Sequence, residues 1–452
     1  MRRKILDKLT LAALLLIISL GFFYGGSSTE GDFIRQIVNI LSAFFLIIFV
    51  ILTPSVIIQR IPAVINRLLF LGLSFIAIQL IPFHPSIWTA LPGRDNIVEE
   101  LVLFNQPLGW RPLSMAPLRT LNYIMELFPG ILAIYLACIS SRFVVRWMFV
   151  LFTVFALINL IWGFAQVYSN GDPSLYIWSH TNLGSPTGSF ANVNHQATLM
   201  LIALPLIAYV CKYYSASSLK DRYGFSPLLL GLALWLLCIA CIVMVKSTAG
   251  YLIAIPTIYL SILILVGKNV SLLRRLSKYS FIIISCLGVF FVLLTDLSHV
   301  QELGAAESPE VSTSRHEITK VSLKMLETHW VFGIGAGAYA DVNQSFEDRL
   351  SVTSTYINHA HNDYLEIMIE LGVLGLFFMI LSLAIILKAA IKNWLGLYSS
   401  NDYLLRAASV IIFVLLLHSV FDYPLRSQFL FVVFSFSVGV VLRQSDEHKV
   451  KM

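Results

Sequence analysis

The sequence has little charge for its length. Only 12% of its 452 residues are Asp, Glu, Lys or Arg, and 58% are hydrophobic. An average soluble chain is about 25% charged and about 45–50% apolar. One globular core cannot bury this much apolar surface. The composition therefore excludes a soluble enzyme, a disordered chain and a secreted disulfide scaffold, and it indicates a protein whose solvent is mostly lipid.

Cysteine and nucleotide-binding motifs are scarce as well. The chain has five cysteines, all within or beside apolar segments. The Cys238-x-x-Cys241 pair has no second pair at the spacing of a zinc site, so we expect small packing residues there. No glycine motif of the Walker or Rossmann type occurs, which argues against nucleotide chemistry.

Long hydrophobic segments make up most of the chain. A membrane-spanning helix needs about 20 mostly apolar residues. Segments of this kind lie at roughly 9–26, 36–53, 64–82, 121–139, 147–168, 196–214, 227–245, 249–267, 279–295, 364–388, 405–421 and 427–442. They predict an all-α polytopic helical bundle of about twelve transmembrane helices, with residues 1–452 forming a single membrane domain. No signal-peptidase pattern follows the basic N-terminus, so we expect 9–26 to be the first span.

The charges divide unevenly between the two sides of such a bundle. With both termini placed inside, the inner loops hold 21 of the 31 Lys and Arg but only 5 of the 25 Asp and Glu. This positive-inside bias predicts cytoplasmic termini. The net charge of +6 then reports orientation, and no nucleic-acid partner is expected. Three long loops, at roughly 83–120, 169–195 and 296–363, open on the outer side, and loops of this length are usually functional.

The last of these loops ends in the most suggestive pattern. Arg315 begins a stretch with apolar residues three to four apart, which predicts an amphipathic helix, and a glycine-rich turn follows at 333–337. His361 and Asn362 then precede the span at 364–388. Asp363, with a glutamate three residues on, predicts the helix cap. A helix N-terminus suits an anionic ligand, and a histidine there can exchange a proton near neutral pH.

Several ionisable residues lie near the ends of predicted spans, where charge is costly and indicates function. Lys246 ends one span, and Glu370 lies one turn after Glu366 on the same helix face. Two carboxylates on one face predict an arginine partner. Asp422 and Arg426 follow the span at 405–421, and either form a local ion pair or belong to a site. His361 itself can be a surface histidine, and a His-x-His metal site lacks a recognisable third ligand.

Four motifs occur in order along the chain. They are Gly188-x-Phe190-x-Asn192-x-Asn194-His195, then Arg315 ahead of a helix ending in Gly333-x-Gly335-x-Gly337, then His359-x-His361-Asn362-x-Tyr364-Leu365-x(4)-Glu370-Leu371-Gly372, and finally His418-x(3)-Asp422-x-Pro424-Leu425. Together they resemble the bacterial O-antigen ligase and polysaccharide polymerase superfamily. The resemblance runs from about 84 to 426, with an O-antigen ligase-related core at 230–385 that includes the loop 296–363.

This resemblance implies a membrane glycosyltransferase of lipopolysaccharide or exopolysaccharide biosynthesis. Its active face would be the periplasmic face of the bacterial cytoplasmic (inner) membrane. An undecaprenyl-diphosphate-linked oligosaccharide would be the donor, and a glycan or lipid A-core hydroxyl the acceptor, in an inverting transfer. His361 would be the catalytic base and Arg315 a ligand of the diphosphate. The chemistry requires no cofactor and no metal, and other polysaccharide assembly proteins are candidate partners.

One departure from the family concerns a phosphate ligand. Many members have an arginine after a serine where this chain has Ser247-Thr248-Ala249-Gly250, and here Lys246 is the nearest cation. A lysine cannot give the bidentate contact of a guanidinium. The remaining predicted substrate-binding residues are His359, Asn362, Asn192, Asn194, Glu370, Asp422 and Arg426. The tryptophans Trp88 and Trp110 either hold sugar or anchor the protein at the membrane interface.

Alternatives of other classes stay open at this point. Polymerase and ligase share the chemistry and differ in acceptor, and the missing arginine slightly favours a polymerase. A multi-span transporter or flippase would favour polar sites near mid-membrane and paired halves, whereas no internal repeat is found. A non-catalytic scaffold of the assembly machinery would tolerate substitution of His361 or Arg315.

Overall fold

The structure is a computed structural model that describes residues 2–26, 28–53, 60–215, 226–266, 282–284, 286, 309–347, 357–395 and 403–447. Its helices, in chain order, are α1 (Arg2–Tyr24), α2 (Asp32–Leu52), α3 (Ala63–Ile78), α4 (Pro85–Trp88), α5 (Asp95–Leu103), α6 (Pro117–Glu126), α7 (Phe128–Ile139), α8 (Arg142–Tyr168), α9 (Val193–Ser215), α10 (Pro227–Val245), α11 (Thr248–Val266), α12 (Pro309–His329), α13 (Tyr339–Asn343), α14 (Asp363–Trp394), α15 (Tyr403–His418) and α16 (Gln428–Glu447). Short 3₁₀ turns lie at Thr29–Gly31, Pro173–Leu175 and Pro424–Arg426. Two short strands, β1 (Pro82–Phe83) and β2 (Arg111–Pro112), pair antiparallel.

These helices confirm the all-α polytopic membrane class. Within the described ranges, eight are long and apolar enough to cross a membrane: α1, α2, the run formed by α6 and α7, α8, α9, α10, α11 and α14. The shorter apolar helices α3, α15 and α16 coincide with three further predicted spans. The predicted span 279–295 lies outside the described residues, apart from 282–284 and 286. The same holds for 296–308 and 348–356 of the long outer loop.

Helix α9 occupies the centre of the bundle. About 78% of its spanning window is buried inside the protein, and it packs against α8, α10, α11 and α15. Its apolar residues cover all faces, which is the pattern of a fully enclosed helix. The start of α9 is thereby fixed next to the ends of α10 and α15, where the candidate site lies.

One end of the bundle gathers groups that the charge pattern assigns to the cytoplasm. Arg60 Nη1 donates to the carbonyl of Ile139 at 2.9 Å, and Arg443 donates to that of Ala137 at 3.2 Å. The carboxylate of Asp7 accepts from the backbone N–H of Ser141 at 3.2 Å. The long predicted outer loops therefore share the opposite end.

Helix α15 ends earlier than the sequence predicts. The predicted span ran to residue 421, but the helix stops at His418 and residues 419–421 turn away. Two of these residues, Val420 and Phe421, are apolar, so the apolar pattern alone overestimates the length of the helix. Pro424, which cannot continue a helix, follows shortly afterwards. The carbonyl groups of residues 419–421 are consequently available to other segments.

Helix α14 is also not continuous. Gly372 has φ 61° and ψ −153°, which breaks the helix that the sequence predicts as one span. The glycine-rich turn at 333–337 packs against this break: the backbone N–H groups of Ile334 and Gly335 donate to the carbonyls of Ile369 and Glu370, each at 3.0 Å. A Cβ at Gly372 would lie 2.4 Å from the carbonyl oxygen of Val331. Only glycine fits this approach, and the turn is a packing element.

Candidate active site

Asp422 lies at the centre of a buried polar cluster, at the end of the bundle opposite Arg60 and Arg443. Its carboxylate accepts a hydrogen bond from His361 Nδ1 at 3.2 Å and lies 3.5 Å from Arg315 Nη2. The side-chain amide of Asn192 donates to the same carboxylate at 3.2 Å. The structure therefore brings together residues from four segments that are up to 230 positions apart. We call these four residues, Asp422, His361, Arg315 and Asn192, the Asp422 cluster.

The charges of this cluster fix the protonation of His361. Burial raises the pKa of Asp422, but Arg315 and the hydrogen bond from His361 lower it more, and the net pKa is well below the ordinary value. The carboxylate is thus ionised and can only accept hydrogen bonds. The proton of a neutral His361 therefore resides on Nδ1, which leaves the lone pair of Nε2 available to take a proton.

His361 is held neutral at physiological pH. Burial lowers its pKa, Arg315 lowers it further, and the hydrogen bond to Asp422 opposes both. The net result is a pKa below the ordinary value of 6.5. Its side chain keeps 20% of its surface exposed, so a substrate can reach it. A base must be unprotonated and accessible, and His361 meets both requirements.

The backbone of His361 is strained. Its φ is +51°, in the left-handed region that non-glycine residues seldom adopt. Such conformations persist only where the surroundings enforce them, and they cluster at functional sites. The carbonyls of residues 419–421 supply that enforcement, accepting hydrogen bonds from Asp363 N at 3.0 Å, Asn362 Nδ2 at 2.9 Å and Arg315 Nη1 at 3.2 Å.

The cap of α14 differs from the prediction. Asn362, and not Asp363, is the N-cap, because its side-chain oxygen accepts from the backbone N–H groups of Tyr364 and Leu365, each at 3.0 Å. Asp363 is the first helical residue, and its carboxylate accepts instead from the Ser419 hydroxyl at 2.7 Å. Asparagine and aspartate cap equally well, so the sequence alone did not separate the two.

Glu366 consequently does not complete a capping box. Its carboxylate accepts from His359 Nδ1 at 3.0 Å and from the backbone N–H of Ala360 at 2.9 Å. Glu366 therefore fixes the position of residues 359 and 360, just before the N-cap of α14. His359 is oriented by this bond and is separated from the Asp422 cluster by the ring of Tyr423.

Tyr423 is the residue that the sequence reasoning missed. The rings of three histidines surround its ring, with centroid distances of 4.5 Å for His359, 4.8 Å for His361 and 5.1 Å for His195. Tyr423 is 6% exposed. It occupies an unspecified position of the motif around Asp422, so only its place before Pro424 could have drawn attention to it. Among the described residues, no three His, Cys, Asp or Glu side chains are arranged to hold a metal ion.

Arg426 forms a second buried cluster beside the first. Its Nη2 atom lies 3.1 Å from Glu366 Oε1 and 3.2 Å from Glu370 Oε2, and Nε lies 3.8 Å from Asp363 Oδ1. The two glutamates thus have the arginine partner that their spacing predicts. The local ion pair between Asp422 and Arg426 that the sequence left open is wrong, because each residue is paired elsewhere.

In this second cluster, which we call the Arg426 cluster, the arginine is permanently charged. Burial lowers the pKa of Arg426, but the neighbouring carboxylates raise it more, to well above its ordinary value. A cavity of about 450 Å³ opens beside it, lined also by His359, Arg35 and Arg119. Polar groups of both signs around a cavity of this size suit a sugar, whose hydroxyls donate and accept hydrogen bonds.

The two predicted asparagines have different positions. Asn192 is half-buried and contacts Asp422 directly. Asn194 is only 2% exposed, and its backbone N–H donates to the side-chain oxygen of Asn192 at 2.9 Å. Asn194 therefore supports Asn192 from behind, and the two asparagines do not form one common surface.

Lys246 is exposed at the end of α10, with φ +60°. The preceding residue, Val245, packs against Val193 and Ala197 at the start of α9. Lys246 is thus beside the loop that carries Asn192, at the same end of the bundle as the Asp422 cluster.

Trp88 and Trp110, in the first long loop, differ in their exposure. Trp88 is fully buried, and its Nε1 donates to the carbonyl of Gly109 at 2.9 Å. It is neither a membrane anchor nor a free sugar platform. Trp110 is 66% exposed and packs edge-on against His84 with a centroid distance of 5.5 Å.

Comparison with known families agrees with the motifs. Residues 232–380 match the protein family described as O-antigen ligase. This match confirms the resemblance to the O-antigen ligase and polysaccharide polymerase superfamily. The matched residues include Lys246, Arg315, His361 and Glu370, whereas Asn192 and Asp422 lie outside the match. No curated protein matches the chain. The family implies ligase or transferase activity with glycan or lipid-linked substrates in a membrane.

Proposed function

We propose that the protein transfers a glycan from an undecaprenyl-diphosphate-linked donor to an acceptor hydroxyl, with inversion, at the periplasmic face of a bacterial inner membrane. The observation that carries the proposal is the hydrogen bond from His361 Nδ1 to the ionised Asp422 at 3.2 Å. This bond leaves His361 neutral, with Nε2 on the side of the ring that faces away from Asp422. The family match and the positive-inside charge pattern support the substrate class and the side.

His361 is the general base of the proposed reaction. Its Nε2 takes the proton from the acceptor hydroxyl as the oxygen attacks the anomeric carbon of the donor sugar. The bond from that carbon to the diphosphate oxygen breaks, and undecaprenyl diphosphate departs with the electron pair. Attack on the face opposite the leaving group inverts the anomeric centre. Asp422 holds the imidazole ring in place and stabilises the imidazolium that forms, as the carboxylate does in catalytic triads.

The leaving diphosphate requires charge stabilisation more than protonation. Arg315 contacts Asp422 and the carbonyl of Phe421, yet a guanidinium has five N–H donors. Its remaining donors can bind a phosphate oxygen. The N-terminus of α14 adds partial positive charge, and Lys246 supplies a cation from the end of α10. In this arrangement Lys246 takes the place of the arginine found in many family members.

The acceptor sugar occupies the cavity beside the Arg426 cluster in this proposal. His359 lines this cavity and contacts Tyr423, so the cavity and the Asp422 cluster are adjacent. Glu370 and Arg426 would bind sugar hydroxyls there. Asn362 has a different role: its oxygen caps α14 and its amide binds the carbonyl of Val420. We assign Asn362 to positioning His361.

We favour polymerisation over ligation, because the Ser247-Thr248-Ala249-Gly250 segment lacks the arginine typical of many members. The acceptor would then be another lipid-linked repeat, instead of a lipid A core or a protein side chain. The glycan of a deletion strain separates these cases. Single repeat units on the lipid core indicate a lost polymerase, and long chains left on the carrier indicate a lost ligase.

The direct test is transfer by the purified protein in liposomes with a lipid-linked donor. His361→Ala should lower turnover by about 10²–10⁴-fold, the usual contribution of a general base. His316→Ala is the matched control, since His316 is exposed on the helix that carries Arg315, and it should leave turnover unchanged. Near-normal turnover of a folded His361→Ala variant would disprove the base assignment. Movement of the glycan across the liposome without a new bond would indicate a transporter.

A further inference from the structure

A separate cavity lies at the opposite end of the bundle from the Asp422 cluster. Its volume is about 120 Å³. The polar and aromatic residues around it are Arg142, Arg146, Arg443, Tyr209, Tyr213 and Tyr403. None of the described residues that line it is acidic. We call it the arginine cavity. Three arginines around one small cavity are more than a positive-inside bias requires, because that bias is met by cations anywhere along the inner loops.

Two of the three guanidinium groups of this cavity have contacts that hold them in place. Arg146 lies over the ring of Tyr213 at 5.1 Å and donates to its hydroxyl at 3.5 Å. Arg443 donates to the carbonyl of Ala137 at 3.2 Å. A side chain already fixed loses little rotamer freedom when it binds a ligand. The cavity is thus prepared for an anion.

The cavity also contacts the first turn of α8. Arg142 is the first residue of that helix, and the Ser141 hydroxyl caps it by accepting from Val144 N at 3.4 Å. The amide groups of a first helical turn carry partial positive charge and favour phosphate. This field has the same sign as the charge of the arginines, and the carboxylate of Asp7, which accepts from Ser141 N at 3.2 Å, offsets part of it.

Two exposed aromatic residues indicate the depth of the cavity in the membrane. Phe143 is 62% exposed and Trp147 is 47% exposed, on the same first turns of α8, with their ring centroids 6.1 Å apart. Exposed aromatic rings near helix ends are typical of the membrane interface, at the level of the lipid headgroups. An anion in the arginine cavity would therefore lie at headgroup level and not in the surrounding water.

We propose that the arginine cavity binds the phosphate of an anionic phospholipid headgroup, on the side that the charge pattern assigns to the cytoplasm. A cavity needs a volume of about 10–15 Å³ to hold one water molecule, so a cavity of about 120 Å³ holds a group of phosphate size. Guanidinium groups match phosphate oxygens in geometry and charge. Basic pockets between transmembrane helices recognise lipid headgroups in this way. The inference does not depend on the proposed transferase function.

The test compares the full-length protein in nanodiscs of phosphatidylcholine with and without phosphatidylglycerol. The variant is Arg142→Gln with Arg146→Gln. The matched control is Arg67→Gln with Lys388→Gln, two exposed cations at the same predicted side that do not line the cavity. Wild type and control should gain thermal stability from phosphatidylglycerol and retain a bound anionic lipid in native mass spectrometry. The cavity variant should lose both effects, with at least tenfold less retained lipid.

Two results would overturn the proposal. If the cavity and control variants gain equal thermal stability from phosphatidylglycerol and retain equal amounts of lipid, the anionic lipid acts through general surface charge and not through the arginine cavity. Stabilisation of the wild type by inorganic phosphate in phosphatidylcholine discs, with no effect of phosphatidylglycerol, would show a site for a soluble anion. If the double variant does not fold, Arg146→Gln against Arg67→Gln gives the same comparison, because both side chains are exposed.

Discussion

Replacing Asp422 with asparagine tests the His361–Asp422 pair most directly. The substitution keeps the shape of the side chain and removes its charge. Asparagine can still accept from His361 Nδ1, but its amide group can also donate to that nitrogen. The imidazole is then free to adopt the other tautomer, with the proton on Nε2, and cannot act as a base in that form. We expect turnover to fall by about 10⁴-fold, as it does when a triad aspartate is replaced by asparagine.

The same substitution removes the counter-charge of Arg315. The two groups are 3.5 Å apart, and their side chains are 6% and 1% exposed. At an effective dielectric constant of about 20, their attraction is about 5 kcal/mol. Removing one partner of a buried pair leaves the other charge uncompensated, which costs about 3–5 kcal/mol. The free energy of unfolding of Asp422→Asn should fall by this amount, measured by thermal or denaturant unfolding in detergent.

A double variant separates the two effects. Arg315→Gln combined with Asp422→Asn removes both charges, so most of the lost stability should return while turnover stays low. The pH profile gives an independent readout. Wild-type kcat/KM should rise with pH through a midpoint below 6.5, because the pKa of His361 is lowered. Asp422 raises that pKa, so its loss should move the midpoint to lower pH.

The assay is transfer from a purified lipid-linked donor between about pH 5 and pH 8. At neutral pH His361 is unprotonated in both proteins, so the loss of turnover there reports the tautomer and not the charge state. A folded Asp422→Asn protein with wild-type turnover and an unmoved pH midpoint would refute the reasoning.

Three further predictions concern other parts of the site. Arg426→Gln should lower the free energy of unfolding by more than about 3 kcal/mol, because it leaves buried carboxylates unpaired. The control Arg119→Gln, in an exposed ion pair, should change it by less than about 1 kcal/mol. Equal losses in unfolding experiments would contradict this prediction. Gly372→Ala should lower it by about 1–3 kcal/mol, since the added Cβ would meet a backbone oxygen at 2.4 Å; unchanged thermal stability would argue against the tight approach. Lys246→Gln should raise the KM for the donor severalfold and Lys246→Arg should not, as steady-state kinetics would reveal; an unchanged KM in Lys246→Gln would remove Lys246 from the diphosphate site.

The sequence predicted the helices well where hydrophobicity alone decides them. It was less accurate where a polar contact ends or breaks a helix. Val420 and Phe421 are apolar, yet their carbonyls accept hydrogen bonds from Asn362, just before α14, and from Arg315 of α12, and α15 stops at His418. The break at Gly372 arises from the packing of the glycine-rich turn at 333–337, which is distant in sequence. Such contacts leave no periodic signal in the chain.

In the candidate site, too, the sequence predicted some features and the tertiary structure decided others. Motif order identified His361, Arg315 and Asp422 as candidates, but not which residues would pair. The sequence left open a pair between Asp422 and Arg426, which are four positions apart. In the structure Asp422 pairs with Arg315, and Arg426 pairs with Glu366 and Glu370. Tyr423, which lies between the histidines, had only its place before Pro424 as a signal in the sequence.

Composition and charge by themselves determined that this chain is an all-α membrane protein, and they predicted its orientation. These properties are sums over many residues and depend little on which residues touch. Only the tertiary structure decided the cap at Asn362, the separation of the Asp422 and Arg426 clusters and the tautomer of His361. Each of these depends on distances of about 3 Å between groups far apart in sequence, and only the packing of the helices sets such distances.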